Sequence, residues 1–455
     1  MHESVERLSV SFRNSQVLRL VVVGFLVLLL QIPVARIGSL VSERQHRRQE
    51  AVAEVSAKWG KIQTLTGPAL IVPYTYQWTE LSDSGVSQTR SETRTAVFLP
   101  EKLSIRGSID AETRRRGIFS VPVYVLELEV EGEFAPPALF ELDIDPAAVA
   151  WDRVHLAIGL SDARAIQKET AVLWNDRQVP FLPGTGAFTD GGPGIHAMVD
   201  LADVAARIRF SFPLALNGSL GLYFTPFGQS TVVEIDGNYP HPSFQGNWLP
   251  AERSVSETSF QARWSIPFLG RNYPQAWKGE TRMREAIEAS RFGVDLVNLV
   301  DHYRMAERSV KYAALFILLT LATVWLIEVL AKVQVHPIQY LMLGGALCLF
   351  YLLELSLSEH VGFPTAYAIA CVSVIAMVAA YSVSVLRRVT RALVVAVGVT
   401  LLYAYLYILL MNEDYALLVG SVGLFVILAV IMYVTRHIDW YAPGAARSST
   451  SSRPS

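Results

Sequence analysis

The chain has 455 residues, of which 51% are hydrophobic and 18% are charged, and its formal net charge at pH 7 is −2. A balance this close to neutral gives no electrostatic sign of nucleic-acid binding. Both cysteines, Cys348 and Cys371, lie in long apolar stretches, so the polar part of the chain is expected to contain no disulfide. The composition is typical of a membrane protein, and it leaves the biochemical activity open.

Six apolar stretches are candidates for membrane-spanning helices. A helix rises 1.5 Å per residue, so a hydrocarbon core of about 30 Å requires about 20 apolar residues. The first stretch, residues 20–35, is flanked by Arg19 and Arg36, whose long side chains can reach the membrane interfaces. We interpret it as a retained signal anchor; the alternative is a cleaved signal peptide, although no small-residue cleavage site follows it. The other predicted spans are residues 312–330, 338–357, 364–386, 392–411 and 416–434.

Positive charges in the short loops predict the orientation of these spans. One side of the last five spans carries Lys332, Arg387, Arg388, Arg391 and Arg436. The opposite loops, residues 358–363 and 412–415, contain no Lys or Arg. Both termini are therefore expected in the cytoplasm and the long polar segment in the periplasm. Four arginines directly after the first span oppose this orientation, but long translocated segments largely escape the charge rule.

The polar segment begins as a helix and continues as strands. Residues 36–58 combine a charged surface with an Ala/Val stripe, which predicts a helical stalk ending at Trp59-Gly60. Beyond it, apolar and polar residues alternate, as in Leu126, Leu128 and Val130 with intervening glutamates. This period predicts antiparallel strands with one buried face. The strands expected from such runs are residues 69–77, 95–99, 126–131, 154–159, 207–212, 231–235 and 260–266.

Turns and flanking helices complete the predicted organisation. Turns are expected at residues 82–85, 217–218 and 236–238, a flexible loop at 184–194, and an amphipathic helix at 280–292. The fold class is a membrane α+β protein with one N-terminal and five C-terminal transmembrane helices and a sandwich-like antiparallel β domain between them. Its parts are a cytoplasmic N-terminus (1–19), the first span (20–35), the stalk (36–58), a periplasmic β-rich domain (59–308), a five-helix bundle (309–434) and a cytoplasmic tail with a disordered end (435–455).

Several short motifs resemble those of one bacterial family. They are residues 159–162 (GLSD), 240–244 (PHPSF), 308–313 (RSVKYA), 336–340 (HPIQY), 357–363 (LSEHVGF), 413–421 (EDYALLVGS) and 439–441 (DWY). From about residue 36 to residue 441 the chain resembles the CreD family of inner-membrane proteins. The resemblance implies an envelope-integrity protein linked to stress regulation and colicin tolerance. It supplies no catalytic residues.

Four polar residues in or beside the spans are candidate functional groups. Glu354 lies inside the third span, where a carboxylate is costly and usually faces a bundle interior or a water path; the alternative is a hydrogen bond to a neighbouring helix. Glu359 and His360 can bind a proton or a metal, and histidine titrates near neutral pH, but they can also cap the following helix. His336 precedes Pro337. Proline suits a helix start, whereas the role of His336 is open.

In the β domain, the Pro240–Phe244 motif predicts a rigid loop with exposed rings. Tyr239, His241, Phe244 and Trp248 form a candidate binding loop for a sugar or peptide. The alternative is that these aromatic rings pack at the rim of the core. Residues 217–219 match a glycosylation sequon, but Asn-Gly is also a turn signal.

The chain contains no Gly-x-Ser-x-Gly, His-Glu-x-x-His or phosphate-loop motif, and no metal-ligand spacing among its histidines. No catalytic residue, metal or cofactor is therefore predicted, although catalytic groups can be assembled in space from distant residues. The first hypothesis is a non-enzymatic envelope protein whose periplasmic domain binds an envelope component or partner. The alternatives are a transporter or channel that uses the bundle, and a membrane enzyme acting on envelope polymers or lipids. The lipid bilayer is an expected partner, nucleic acid is not, and the oligomeric state is open.

Overall fold

The computed structural model describes residues 16–81, 87–186, 188, 192–201, 206–279, 283–296, 302–331 and 333–436. The predicted turn at 82–85, Lys332, the 439–441 motif, the tail beyond residue 436 and nearly all of residues 1–19 lie outside this range. The chain divides into a helical unit, drawn from residues 1–47 and 300–455, and a β unit, residues 48–299. Its helices are α1 (Gln16–Trp59), α2 (Arg284–Ala289), α3 (His302–Ala331), α4 (Pro337–Val361), α5 (Phe363–Leu386), α6 (Val389–Met411) and α7 (Ala416–Thr435).

Among the described residues, six helices are long and apolar enough to cross a membrane, namely all except α2. This confirms the six predicted spans. The first span and the stalk are one continuous helix, however, so the predicted boundary at residues 35–36 is not a structural break. Pro33 lies inside this helix. Proline is tolerated there because neighbouring groups in a membrane helix can satisfy the carbonyl that it leaves free.

Five of the six long helices share one apolar core. It contains Leu30 of α1, Ile317 of α3, Phe350 of α4, Val374 of α5 and Leu406 of α6. Helices α1 and α4 approach closely at Gly344, where a Cβ atom would lie 2.1 Å from Leu30 Cδ1. Helix α7, all of whose residues the structure describes, has no buried residue. The alternation of long apolar runs with short loops thus produces a packed bundle with one peripheral helix.

The strands of the β unit are β1 (Gln63–Leu81), β2 (Ser87–Phe98), β3 (Lys102–Arg116), β4 (Phe119–Phe134), β5 (His155–Leu160), β6 (Ala171–Trp174), β7 (Arg177–Pro180), β8 (Leu182–Pro183), β9 (Gly194–Met198), β10 (Ile208–Ser219), β11 (Gly221–Phe224), β12 (Ser230–Gly237), β13 (Pro242–Gly246), β14 (Glu252–Val255), β15 (Phe260–Pro267), β16 (Ala276–Lys278) and β17 (Phe292–Leu296). Every predicted strand is present. The alternation of apolar and polar residues predicted these strands correctly because buried and exposed side chains also alternate along them, as in β15.

Within the described residues the strands form two sheets. The nine-stranded sheet has the order β13-β17-β11-β1-β5-β9-β8, with β2 between β1 and β16; the eight-stranded sheet has the order β14-β15-β12-β3-β4-β10-β6-β7. Both sheets contribute to one core, with Leu70 and Phe224 from the first and Leu126, Phe212 and Trp264 from the second. The two-sheet arrangement agrees with the predicted sandwich-like domain.

The sheets are mixed, however, and not wholly antiparallel. In the described part of the chain, β1 pairs with β11 and β3 pairs with β12 in parallel. These strands are far apart in sequence, so no hairpin dictates their direction, and side-chain alternation carries no information about it. The other strand pairs between described residues are antiparallel.

Three local predictions are wrong. The turn expected at residues 236–238 is displaced, because Asp236 and Gly237 still lie in β12, opposite Gln261 and Phe260. Asn217 and Gly218 do not form a turn; they lie in β10 opposite Val125 and Tyr124. The glycine is required there because a Cβ atom would lie 2.2 Å from the Tyr124 ring. Residues 280–282 of the predicted helix at 280–292 lie outside the described part of the chain; within residues 283–292 the helix is limited to α2, and Phe292 already begins a strand that pairs with β11. In the predicted loop 184–194, Thr185 is fully buried, while residues 187 and 189–191 lie outside the described part.

Candidate functional site

The candidate site is a buried pair of polar side chains in the helical unit. Ser309 of α3 donates a hydrogen bond from its Oγ atom to Oε2 of Glu354 in α4, at 2.7 Å. Both residues have a relative exposure of 0%. The second carboxyl oxygen, Oε1, is also buried and has no hydrogen-bond partner in the part of the chain that the structure describes. We call this pair the Glu354 site.

The position of the Glu354 site explains its energetic cost. Glu354 precedes the end of α4 at Val361 by seven residues, which corresponds to about 10 Å along the helix. Ser309 follows the start of α3 at His302 by the same number of residues. A carboxyl group at this depth costs a few kcal/mol on insertion scales, and leaving one of its oxygens unpaired adds to that cost. Groups of this kind are commonly retained for function.

A small cavity lies between the same helices. Its volume is about 10 Å³, enough for roughly one water molecule. It is lined by Phe316, Ile317, Thr320, Leu347, Tyr351, Val399, Leu402 and Tyr403, which belong to α3, α4 and α6. Tyr351 precedes Glu354 by three residues and therefore lies on the same face of α4. The interface of α3, α4 and α6 thus contains hydroxyl groups in addition to the carboxyl group.

Arg308, the neighbour of Ser309, connects α3 to the end of α6. Its guanidinium donates to the carbonyl oxygens of Leu409 at 2.9 Å and Leu410 at 3.2 Å. It also lies 3.7 Å from the Glu413 carboxylate, which Arg304 approaches to 3.3 Å. A cation at the carboxyl end of a helix satisfies its last carbonyl groups and interacts favourably with the helix dipole. These contacts hold α3 in register with α6 beside the Glu354 site.

The side chains of Glu359 and His360 lie in different surroundings. The Tyr303 hydroxyl donates to Glu359 Oε1 at 2.9 Å, and Arg44 Nε of α1 lies 3.7 Å from the same oxygen. Glu359 therefore joins α1, α3 and α4, and its side chain is only 8% exposed. His360, in contrast, is exposed. Adjacent residues on a helix point in different directions, and this separates their side chains.

Glu328 makes a similar set of contacts between helices at the other end of α3. It accepts hydrogen bonds from Arg19 Nη1 at 2.5 Å, the Tyr340 hydroxyl at 2.5 Å and the Val335 backbone N–H at 3.2 Å. The carboxylate is 3% exposed and is well supplied with donors. It joins α1, α3 and α4, as Glu359 does. Glu354 differs from both because it has a single donor in the described part of the chain.

His336 has a structural role that the sequence left open. Its Nδ1 atom accepts a hydrogen bond from the Ile338 N–H at 3.3 Å, and the Gln339 side chain accepts one from the His336 N–H at 2.9 Å. This reciprocal arrangement is a capping box at the start of α4. The contact explains why a polar side chain with an acceptor atom stands before Pro337.

The candidate binding loop of the β unit is not one open aromatic surface. The Phe244 ring packs against Trp264 at a centroid distance of 5.8 Å, and the Trp248 ring packs against Phe292 at 6.2 Å. Partial burial raises the pKa of Tyr239. His241 is exposed. Three of the four side chains therefore pack at the rim of the core, and only His241 is freely accessible to solvent.

The partners of the candidate residues were not predicted from the sequence. Ser309 and Arg308 belong to the RSVKYA motif, but their partners are 45 and about 100 residues away. Glu328 pairs with Arg19 and Glu359 pairs with Arg44. The sequence suggested these arginines only as charges that flank the first span.

No group of three or more His, Cys, Asp or Glu side chains that could hold a metal occurs among the described residues.

Comparison with known proteins identifies the family. A family model described as inner membrane protein CreD matches residues 15–441, nearly the whole chain. The chain belongs to the CreD family. It is also 34% identical to the inner membrane protein CreD of Escherichia coli K12 over 419 residues, which cover 91% of this chain and 92% of that protein. This CreD-family chain is accordingly a multi-pass protein of the bacterial inner membrane, in agreement with its six apolar helices.

Removing the single donor of the Glu354 site should destabilise the protein. In a Ser309→Ala variant, both buried carboxyl oxygens would lack a protein donor, which costs about 1–3 kcal/mol. We expect a lower midpoint of thermal unfolding for the purified protein in detergent. A matched control is Ser373→Ala, because Ser373 is exposed and bonds only to the Ile369 carbonyl of its own helix.

The double variant Ser309→Ala with Glu354→Leu should recover most of the lost stability, because removal of both polar partners is nearly neutral. Equal unfolding midpoints for Ser309→Ala and Ser373→Ala would contradict this account of the site.

Proposed function

We propose that this CreD-family protein maintains the integrity of the cell envelope, and that its β unit lies in the periplasm and binds an envelope component without transforming it. The observation that carries the proposal is the β unit itself. It is inserted between the first and second spans, and two sheets enclose a core of its own. The family resemblance implies the role in envelope integrity.

The outer face of the eight-stranded sheet supports an aqueous location for the β unit. Arg263 of β15 pairs with Glu234 of β12 at 3.0 Å and with Glu252 of β14 at 3.3 Å. Arg106 of β3 pairs with Glu131 of β4 on the same sheet. These side chains are all about half exposed or more, so each pair contributes little to stability. A row of solvated charges of this kind suits a water-filled compartment.

The contacts of α1 support the proposed orientation. Because Arg19 pairs with Glu328, the start of α1 lies beside the end of α3. Alternation of α3, α4, α5 and α6 then assigns the loop with Arg387 and Arg388 to that same side of the membrane. Positive charges are typical of cytoplasmic loops. These contacts therefore support the proposal that the β unit, which follows α1 and precedes α3, lies in the periplasm.

Cysteine labelling tests this orientation. The two native cysteines lie in apolar helices, so single additional cysteines can be compared with the unmodified chain. Thr258→Cys, in an exposed turn of the β unit, should react with a membrane-impermeant maleimide in spheroplasts. Thr390→Cys, in the exposed start of α6, should react only after the inner membrane is opened. The reverse pattern would contradict the periplasmic location.

Binding without turnover is tested with the full-length protein in lipid vesicles. We expect vesicles with an accessible β unit to sediment with at least one of three probes, namely isolated peptidoglycan, lipopolysaccharide or outer-membrane vesicles. Vesicles without protein are the control. The mass spectrum of the bound probe should be unchanged after incubation. New cleavage products would favour the membrane-enzyme alternative, and no binding to any of the three would contradict the proposal.

A second candidate function, proton- or ion-linked transport, is favoured by the unpaired oxygen of Glu354. A buried carboxyl group with an oxygen that has no partner among the described residues has the parts of a proton-binding site, and a small cavity is lined by other residues of α3 and α4. In that case, reconstituted protein should dissipate a pH gradient, and the isosteric change Glu354→Gln should abolish the flux. Ser373→Ala should leave the flux unchanged. Equal fluxes for wild type and Glu354→Gln would exclude this role for Glu354.

A further inference from the structure

The β1–β2 hairpin extends beyond the sheet to which it belongs. Near its base, β1 pairs with β5 up to Ile71 and forms a bridge at Tyr74, while β2 pairs with β16 from Ala96 onward. Residues 75–81 and 87–94 form strand pairs with each other, and no third strand pairs with them among the residues that the structure describes. Nearly all of their described side chains are exposed or half-buried. We call residues 75–81 and 87–94 the arm.

The two faces of the arm differ in chemistry. One face carries the stacked rings of Tyr76 and Trp78, with centroids 5.9 Å apart, and the Arg94 guanidinium 3.9 Å from the Tyr76 ring centre. Arg90 and Glu80 form an ion pair of 2.7 Å on this face. On the opposite face, residues 75, 77, 79, 89, 91 and 93 are all Thr, Ser or Gln. The stack stiffens the hairpin, yet a lone two-stranded hairpin is at best marginally stable in water.

A hydrogen bond at the base of the arm shows which backbone groups of β2 point away from β1. The Thr95 carbonyl accepts a hydrogen bond of 2.7 Å from the Gly279 N–H, so the polar backbone groups of Thr95 point away from β1. The β1–β2 register has no shift from Phe98 to Ser87. Because the direction alternates along a strand, the N–H and C=O groups of Thr93, Ser91 and Thr89 also point away from β1. No strand pairs with them in the described part of the chain.

An unpaired strand edge is a template for another strand. We propose that the occupant is a second copy of this chain, with the two β2 strands paired antiparallel about a two-fold axis at Ser91. In this arrangement Ser91 faces Ser91 of the second copy, and Thr89 faces Thr93. These residues carry the outward-pointing groups, so the pairing would form about six backbone hydrogen bonds. Such a self-complementary contact closes as a dimer.

The charges of β2 select this register over its neighbours. With the axis at Ser91, each Arg90 stands opposite Glu92 of the second copy, and opposite charges directly across a sheet are favourable. An axis at Glu92 would place Glu92 opposite Glu92 and Arg90 opposite Arg94. An axis at Arg90 would place Arg90 opposite itself. Both alternatives juxtapose like charges, which is unfavourable.

The geometry also leaves room for the two β units. In an antiparallel pair, the base of one arm at Thr95 lies beside the tip of the other at Ser87. The eight-residue offset corresponds to roughly 26 Å along the strands. The bodies of the two β units therefore stand at opposite ends of the contact. The proposal does not depend on the envelope-integrity role, because it concerns assembly of the chain.

Disulfide trapping tests the register in the full-length protein. Two differently tagged copies are produced in one membrane, one with Arg90→Cys and the other with Glu92→Cys. These positions would be directly opposite and not hydrogen-bonded to each other, which places the Cβ atoms within disulfide range. We expect a mixed disulfide between the two tags. The matched control, Thr89→Cys with Glu92→Cys, places the sulfurs on opposite faces, and it should cross-link at least about tenfold less.

Charge reversal gives a second, independent readout. Ser91→Cys reports the dimer through a symmetric disulfide. Arg90→Glu or Glu92→Arg, added singly, should reduce its yield by roughly tenfold, since each introduces two like-charge pairs. The exchange of both charges should restore the yield. All three side chains are exposed, and unchanged thermal unfolding of the variants would show that they fold.

Equal yields for all charge variants, or equal cross-linking by the control pair, would overturn the proposal. Cross-linking of these cysteines to a different protein, without a dimer, would also overturn it and would assign the edge to another partner.

Discussion

The helical unit is organised by the need to supply hydrogen-bond donors to carboxylates buried in an apolar bundle. Without water, a carboxylate among membrane helices is tolerated only where other groups of the protein approach it. Glu328 and Glu359 meet this requirement with arginine and tyrosine donors, and each of them draws α1 against α3 and α4. The first helix is thus held to the bundle at both of its membrane ends by polar contacts, in addition to its apolar packing.

Glu354 is the exception to this rule. Among the described residues its one donor is Ser309, and the other carboxyl oxygen has no partner at a position with no exposure to solvent. Two helix ends of the same unit are well satisfied, because Arg308 donates to the last carbonyl groups of α6 and the His336 box caps the start of α4. A buried carboxyl oxygen without a donor carries a stability cost, and such costs are commonly retained at functional sites. Transport therefore stays a second candidate, while the size and separate core of the β unit favour a binding role.

Much of the fold follows from periodicity. Hydropathy located all six membrane helices, and strict alternation located β4, β10 and β15, because each of these signals depends only on neighbouring residues. The predictions are wrong where contacts between residues distant in sequence determine the local structure. Asn217-Gly218 resembles a turn, but Tyr124 from another strand requires a glycine in β10. The parallel pairing of β3 with β12 joins residues more than 120 positions apart, which no local pattern records.

At the candidate site, too, some features follow from the local sequence and others depend on tertiary contacts. A glutamate inside a span was recognisable from hydropathy alone, whereas its pairing with Ser309 required the fold. Conversely, the aromatic residues near His241 looked like a binding surface, yet the rings of Phe244 and Trp248 pack against Trp264 and Phe292. The sequence identified residues of unusual chemistry, and tertiary contacts decided which of them are satisfied.

The most direct test of the account is leakage of a periplasmic reporter under detergent stress in a strain that lacks this protein. The strain is complemented with the wild-type chain or with Glu354→Leu at equal expression levels. If the β unit maintains the envelope and the bundle serves as its anchor, both chains should restore the barrier equally. Restoration by the wild type alone, with the variant folded and inserted, would contradict that account and make the Glu354 site the centre of function.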